Sequence, residues 1–214
     1  MSLETIIIPV ESRLGVTVPN HLLAHEPPSA DLLILLPGRG YTCNHPVLYY
    51  LRHAGIERGY DVLSIEYAFQ VASRDLDADS LTALAEDVLV ATQAVLARGY
   101  QRVCIAGKSL GTPLAGELAR TITSGAVSLL LLTPIGGALQ GLGDCPTLAI
   151  IGTADPLYTP ELVSAYDDHP TITWQVYDGL NHSLEMPGDW RASLAVLPEI
   201  ITGCETFMSR GTAQ

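Results

Sequence analysis

Two apolar patterns alternate along the chain. Short apolar runs bounded by turn residues, LLILLP (32–37), DVLSIEY (61–67), RVCIAG (102–107), SLLLLT (128–133), TLAIIG (147–152) and ITWQVYDG (172–179), read as strands, several of them apolar on both faces. TIIIPV (5–10) and GVTVPN (15–20) read as an opening pair of strands, antiparallel to each other. Between the runs lie stretches with apolar residues at three- and four-residue steps: 45–59, 79–99, 110–122 and 189–211. In 79–99, Asp79 or Ser80 is placed to cap the N-terminus and Gly99 to close the other end. Pro198, inside the last stretch, predicts a kink or a break there.

Strands that alternate with helices predict an α/β fold: a mostly parallel central sheet of about seven or eight strands with helices on both faces. A length of 214 residues suits a single domain spanning 1–214. The connection PIGGALQGLGDCP (134–146) is too short to contain a lid domain, so a site at the carboxyl edge of the sheet is expected to be open. With 48% hydrophobic and 16% charged residues the chain is not disordered, and no apolar run approaches the roughly 18 to 20 residues that cross a bilayer. Glu4 and Pro9 interrupt the opening MSLETIIIPV where a secretion signal would be basic and then apolar, which makes the cytoplasm the expected compartment.

A formal charge of −12 repels phosphate backbones and anionic lipid surfaces, so neither nucleic acid nor membrane is expected as a partner. Cys43, Cys104, Cys145 and Cys204 are widely spaced and form no metal-binding or disulfide pattern. They are expected as reduced thiols, with no metal and no cofactor.

The candidate chemistry begins at GKSLG (107–111), where a strand ends and a helix begins at once. Gly107 and Gly111 leave room for a tight strand-to-helix turn, which would hold Ser109 in strained backbone geometry with its hydroxyl raised above the sheet. A serine hydroxyl needs a base to take its proton, and the base needs an acid to orient it. Asp155 in GTADPLY and His182 in GLNHSLE each follow a later predicted strand, which supplies an acid and a base in the order Ser, Asp, His. Of the six histidines, His45 is the only other one expected near the site. An oxyanion needs two backbone donors; Leu110, next to the nucleophile, and Arg39 in PGRGYT, with Gly40 close behind, are the candidates. Gly38, Gly40, Tyr41, Tyr67, Leu157 and Tyr158, together with Glu66, are candidate lining residues, whereas the Arg39 side chain either lines the pocket or lies on the surface.

Lys108, the only lysine in the chain, adjoins the serine. Neighbouring residues of a strand point to opposite sides, and a lysine base would have to be neutral. With a histidine available, Lys108 is expected to turn away into an ion pair or hydrogen-bonded cluster beneath the elbow.

From about Leu32 onward these motifs together resemble the α/β-hydrolase superfamily: LLPGRG its oxyanion loop, GKSLG its nucleophile elbow, GTADPLY its acid loop and GLNHSLE its histidine loop. The absence of a lid is similar to its small dienelactone-hydrolase and carboxylesterase branches. Dienelactone hydrolases carry a cysteine nucleophile where this chain has Ser109, and the His-Gly of many oxyanion loops is Pro37-Gly38 here. The resemblance implies a metal-independent serine hydrolase acting on small carboxylic esters or thioesters. The alternatives are acyl transfer or peptide cleavage on the same fold, or a non-catalytic module that binds a ligand or partner in the cleft.

Overall fold

The computed structural model describes residues 2–210; Gly211, expected at the end of the last helix, lies outside them. Strands β1 (Ser2–Glu11) and β2 (Thr17–Glu26) open the chain, followed by β3 (Asp31–Leu36), helix α1 (Pro46–Glu57) and β4 (Asp61–Ser64). Then come α2 (Ala68–Val71), α3 (Ala78–Leu96), β5 (Arg102–Lys108), α4 (Gly111–Thr121) and β6 (Ala126–Leu132). The chain finishes with β7 (Thr147–Gly152), α5 (Pro160–Ser164), β8 (Ile172–Tyr177) and α6 (Trp190–Arg210). The strands form one eight-stranded sheet in the order β1-β2-β4-β3-β5-β6-β7-β8. β1 pairs antiparallel with β2 and β2 with β4, whereas every pairing from β4 to β8 is parallel.

Alternation along the strands builds two cores, one on each face. Leu32, Ile34 and Leu36 of β3 pack on one side with Leu84, Val88, Ala91 and Val95 of α3 and Ala115 and Leu118 of α4. Leu33 and Leu35 face the other way, toward Val47, Leu48 and Leu51 of α1 and Ile200, Cys204 and Met208 of α6. All parallel strands therefore end at one edge of the sheet, and the loops leaving β3, β5, β7 and β8 gather there.

Four local expectations are corrected. β2 starts two residues later than GVTVPN and runs on to Glu26, because Val18, Asn20, Leu22 and Ala24 keep an inward period of two beyond the apolar run. β4 is shorter than DVLSIEY: after Ser64 the Glu66 N–H donates to Asn20 Oδ1 (2.9 Å), which draws the chain out of the sheet. The cap of α3 is Asp77, whose carboxylate accepts from Ser80 N–H at 2.8 Å, rather than Asp79 or Ser80. Pro198 does not break α6, which is continuous from Trp190 to Arg210. The carbonyl deprived of its donor belongs to Leu194, which like Pro198 lies on the exposed side, where water can serve it. Residues 134–146 form a run of turns, and no lid domain occurs among the described residues. No helix among them is long and apolar enough to cross a membrane.

Candidate active site

The turn from β5 into α4 is held by close packing. A Cβ on Gly107 would collide with the Gly111 carbonyl, and one on Gly111 with the Leu36 carbonyl of the neighbouring strand, so only glycine lets the three backbones meet. Between them Ser109 adopts φ of +50°, a geometry that costs a non-glycine residue about 1–3 kcal/mol. Hydrogen bonds hold it there: Ser109 N–H donates to Leu132 O (2.9 Å), and its carbonyl accepts from both Thr112 N–H (2.8 Å) and Thr112 Oγ1 (2.6 Å). Thr112 Oγ1 also accepts from Ile135 N–H (3.1 Å), which ties the loop after β6 to the elbow.

Asp155 follows β7 and His182 follows β8. His182 Nε2 lies 2.8 Å from Ser109 Oγ, and its Nδ1 lies 2.7 Å from Asp155 Oδ2. A carboxylate only accepts, so Nδ1 carries the proton and Nε2 is left to accept from the serine. The Asp155 side chain is wholly buried, and its other oxygen accepts from Leu157 N–H (2.9 Å). The His182 side chain stays 37% exposed and Ser109 is half-buried, so the pair is open to solvent on one side. Asn181 shapes the histidine loop by accepting from Ser183 N–H (2.8 Å) and Glu185 N–H (3.1 Å).

Gly38 lies over the elbow: a Cβ there would stand 3.4 Å from the Ser109 Cβ and 3.2 Å from that of Tyr41. Among the described residues neither Arg39 N–H nor Leu110 N–H donates to a protein group; Leu110 directly follows the serine, and Arg39 directly follows Gly38. Two side chains that lie outside the four sequence motifs hold the Gly38–Arg39 loop. Gln70 Nε2 donates to Gly38 O (3.0 Å) and Arg39 O (2.8 Å), and Tyr67 OH donates to Pro37 O (2.7 Å). Gln70 had no sequence signal, because a glutamine on a four-residue helix belongs to no motif.

Several candidate lining residues take other positions. Tyr67 is 1% exposed and packed against Phe69, so it braces the loop from within the core instead of lining a pocket. Tyr41 is buried too, its hydroxyl accepting from Val47 N–H (3.0 Å) at the start of α1. Glu66 faces a separate cavity with His21 and Arg52. Arg39 and Gly40 are exposed and border a shallow cavity with Gln70 and Arg74. Leu157 lines an apolar groove of about 220 Å³ with Ile135, Leu139, Leu162 and Tyr166, next to the acid loop. Tyr158 is half-buried, its N–H donating to Asp155 O (2.9 Å). His45 packs its ring on Tyr41, with centroids 4.7 Å apart, and accepts from Thr42 N–H on the exposed side of that loop.

Lys108 turns beneath the elbow. It is 1% exposed, and Nζ donates to Thr133 Oγ1 (2.5 Å) and His182 O (2.6 Å) with the Tyr41 ring centroid 5.0 Å away. Burial pulls the ammonium down to about 8, against the opposing pull of Asp155 and Glu185. Among the described residues its surroundings are a hydrogen-bonded cluster without an ion pair. No group of three or more His, Cys, Asp or Glu there is arranged to hold a metal, and the four cysteines are free thiols.

A mostly parallel eight-stranded sheet with its strained serine turn after β5, an acid after β7 and a histidine after β8 has the architecture of an α/β hydrolase. Residues 29–208 match the family model described as alpha/beta hydrolase domain, and the chain belongs to that family. Solved structures share the fold. A protein of unknown function from Agrobacterium tumefaciens superposes with a TM-score of 0.76 at 18% identity, over 97% of this chain and 96% of its own. An esterase from Pyrococcus furiosus gives 0.71 at 13%, over 97% and 91%. A lidless α/β serine hydrolase from Xanthomonas campestris gives 0.68 at 17%, over 97% and 96%. No curated protein matches the chain at a significant level.

Proposed function

We propose that this single-domain hydrolase cleaves small carboxylic esters or thioesters through an acyl-enzyme on Ser109. One observation carries the reading: a continuous relay of short contacts from Ser109 Oγ through His182 to the buried carboxylate of Asp155. The esterase and lidless serine hydrolase of the same fold support it.

In the reaction His182 Nε2 accepts the serine proton as Oγ attacks the acyl carbon, and Asp155 stabilises the resulting imidazolium. The carbonyl oxygen becomes an oxyanion between the N–H groups of Leu110 and Arg39, which need not release any protein partner to receive it. His182 then gives the proton to the departing alcohol or thiol. Water enters and attacks the acyl carbon as it loses a proton to the same Nε2, and His182 returns that proton to Ser109 Oγ as the acyl–oxygen bond breaks and the acid leaves. The short connection at 134–146 and the partial exposure of His182 favour an open site, and the small groove beside Leu157, next to the acid loop, favours a short chain over a long one.

The decisive experiment is the intact mass of the protein after exposure to a fluorophosphonate, beside Ser109→Ala treated identically. A single adduct on the wild type alone is expected. A well-folded protein without an adduct would remove the hydrolase reading. Among p-nitrophenyl esters, turnover should fall as the acyl chain lengthens; equal rates on acetate and palmitate would contradict the open short-chain site.

A further inference from the structure

Among the described residues Lys108 is the one fully buried cation at this edge of the sheet, and the mechanism above does not use it. An ammonium has three hydrogens, and three partners from three loops surround this one. They are Thr133 Oγ1 at the end of β6, the His182 carbonyl after β8, and the face of Tyr41 in the loop whose Gly38 closes over Ser109. Among the described residues no backbone donor reaches the His182 carbonyl, so Lys108 adds a hold on that carbonyl to the Asn181 bonds that shape the loop around it. The imidazole must meet two partners at once, at 2.7 and 2.8 Å, from a loop open to solvent. An anchor on its own carbonyl restricts the swing that would break one contact or the other.

We propose that Lys108 is a positioning residue for the triad: its ammonium, braced by Thr133, fixes the His182 backbone so that the imidazole spans Asp155 and Ser109. This rests on the triad reading above. A purely structural tie gives a poor account of the arrangement, because a buried ammonium without a carboxylate partner is costly and a neutral side chain would fill the space more cheaply. The charge strengthens the bond to the carbonyl.

Losing the proton should weaken that bond, which links turnover to the titration of Lys108. The groups facing it are Asp155 from the loop after β7, His182 and Glu185 from the loop after β8, and the phenol of Tyr41, which burial pushes to about 12 and keeps neutral throughout. Thr133 does not titrate. With Lys108 pulled down to about 8, turnover should step down above that pH to a plateau several-fold lower. It should not vanish, since a neutral amine still donates two hydrogens.

The chain holds one lysine, so lysine labelled with ¹³C at Cε gives one side-chain resonance to titrate. Alongside it, kcat and KM for p-nitrophenyl acetate and the rate of fluorophosphonate labelling are measured from pH 6 to 10 for the wild type, Lys108→Met, Thr133→Val and Thr133→Ser. The alkaline step should coincide with the NMR midpoint. Lys108→Met should lower kcat about 10²-fold, the scale of a misplaced catalytic group, with KM little changed, no alkaline step and a melting temperature within a few degrees of wild type. Thr133→Val should move the step to lower pH, and Thr133→Ser should restore it. If Lys108→Met does not fold, the Thr133 pair decides alone. Wild-type labelling rates in Lys108→Met, an alkaline step that persists in it, or Thr133→Val indistinguishable from wild type would overturn the proposal. A wild type that takes no adduct at Ser109 would instead bring down the triad reading and this proposal with it.

Discussion

Asp155→Asn tests the relay most sharply, because both neighbours of the carboxylate are donors. Leu157 N–H points at one oxygen and His182 Nδ1–H at the other, at 2.9 and 2.7 Å. An asparagine amide has one accepting end and one donating end. Leu157 N–H is a backbone group and cannot become an acceptor, so the amide oxygen must stay with it and the NH₂ must face the imidazole. The imidazole can comply by moving its proton to Nε2. That nitrogen would then donate toward Ser109 Oγ, 2.8 Å away, and could no longer accept its proton. The side chain keeps its size and its place in the core, so stability should scarcely change, whereas kcat should fall by about 10³ to 10⁴. That range equals about 4–5.5 kcal/mol of lost transition-state stabilisation at roughly 1.36 kcal/mol per tenfold. The assay is kcat for p-nitrophenyl acetate at neutral pH, with ¹⁵N shifts of the His182 ring reporting the tautomer. A variant with more than a tenth of wild-type turnover, or with the proton still on Nδ1, would refute the reasoning.

Three further outcomes follow from other parts of the structure. Gly111→Ala would drive a methyl into the Leu36 carbonyl, which cannot retreat because β3 is paired on both sides; the loss should be about 3 kcal/mol, and an unchanged urea midpoint would contradict the packing. Gln70→Leu removes both side-chain bonds to the Gly38–Arg39 loop and should cost about tenfold in kcat with little change in KM, the mark of an interaction felt mainly in the transition state. Stability should decline above about pH 9: burial pushes Cys43 and Cys104 from 9 to about 12 and Cys204 higher still, so the unfolded chain loses these protons first. The three thiols bring a slope of up to about 4 kcal/mol per pH unit, and Lys108, whose depressed value acts with the opposite sign between about 8 and 10.5, offsets about a third of it. Urea unfolding at pH 8, 9 and 10 measures this, and a flat profile would mean that the thiols are not buried.

What the chain reveals before folding depends on whether a residue acts through its neighbours in sequence or through distant ones. The parallel strands were legible because they are apolar on both faces, and the elbow because glycines on either side of a serine at a strand end have few other uses. Tyr67 is the opposite case, 1% exposed and bonded to a residue 30 positions away. An aromatic at a predicted strand end reads as a lining residue, but β4 stops at Ser64, and the extra residues carry the ring into the core beneath Pro37. Asp77 lay just outside the expected helix, since an N-cap precedes the first periodic residue and an acidic stretch offers several choices. The contact of Lys108 with the His182 carbonyl joins residues 74 positions apart and could not have been read from spacing.

Strain and bracing at the sheet edge form one system. Ser109 and Thr133 both sit at positive φ, +50° and +49°, at the ends of adjacent strands, and neither is glycine. Such geometry persists only where the surroundings overdetermine it. For Ser109 the surroundings are the Leu132 carbonyl and the two donors of Thr112; for Thr133 they are the Ile150 carbonyl, which takes its N–H at 2.7 Å, and the ammonium of Lys108. Lys108 therefore lies between two strained residues, following β5 into one and bonded to the other. A site with no lid cannot rely on a closing domain to order its loops around the substrate. Here the order is supplied from below, by side chains that reach up from the core to the carbonyls of the very loops that carry the proposed nucleophile, base and oxyanion donors.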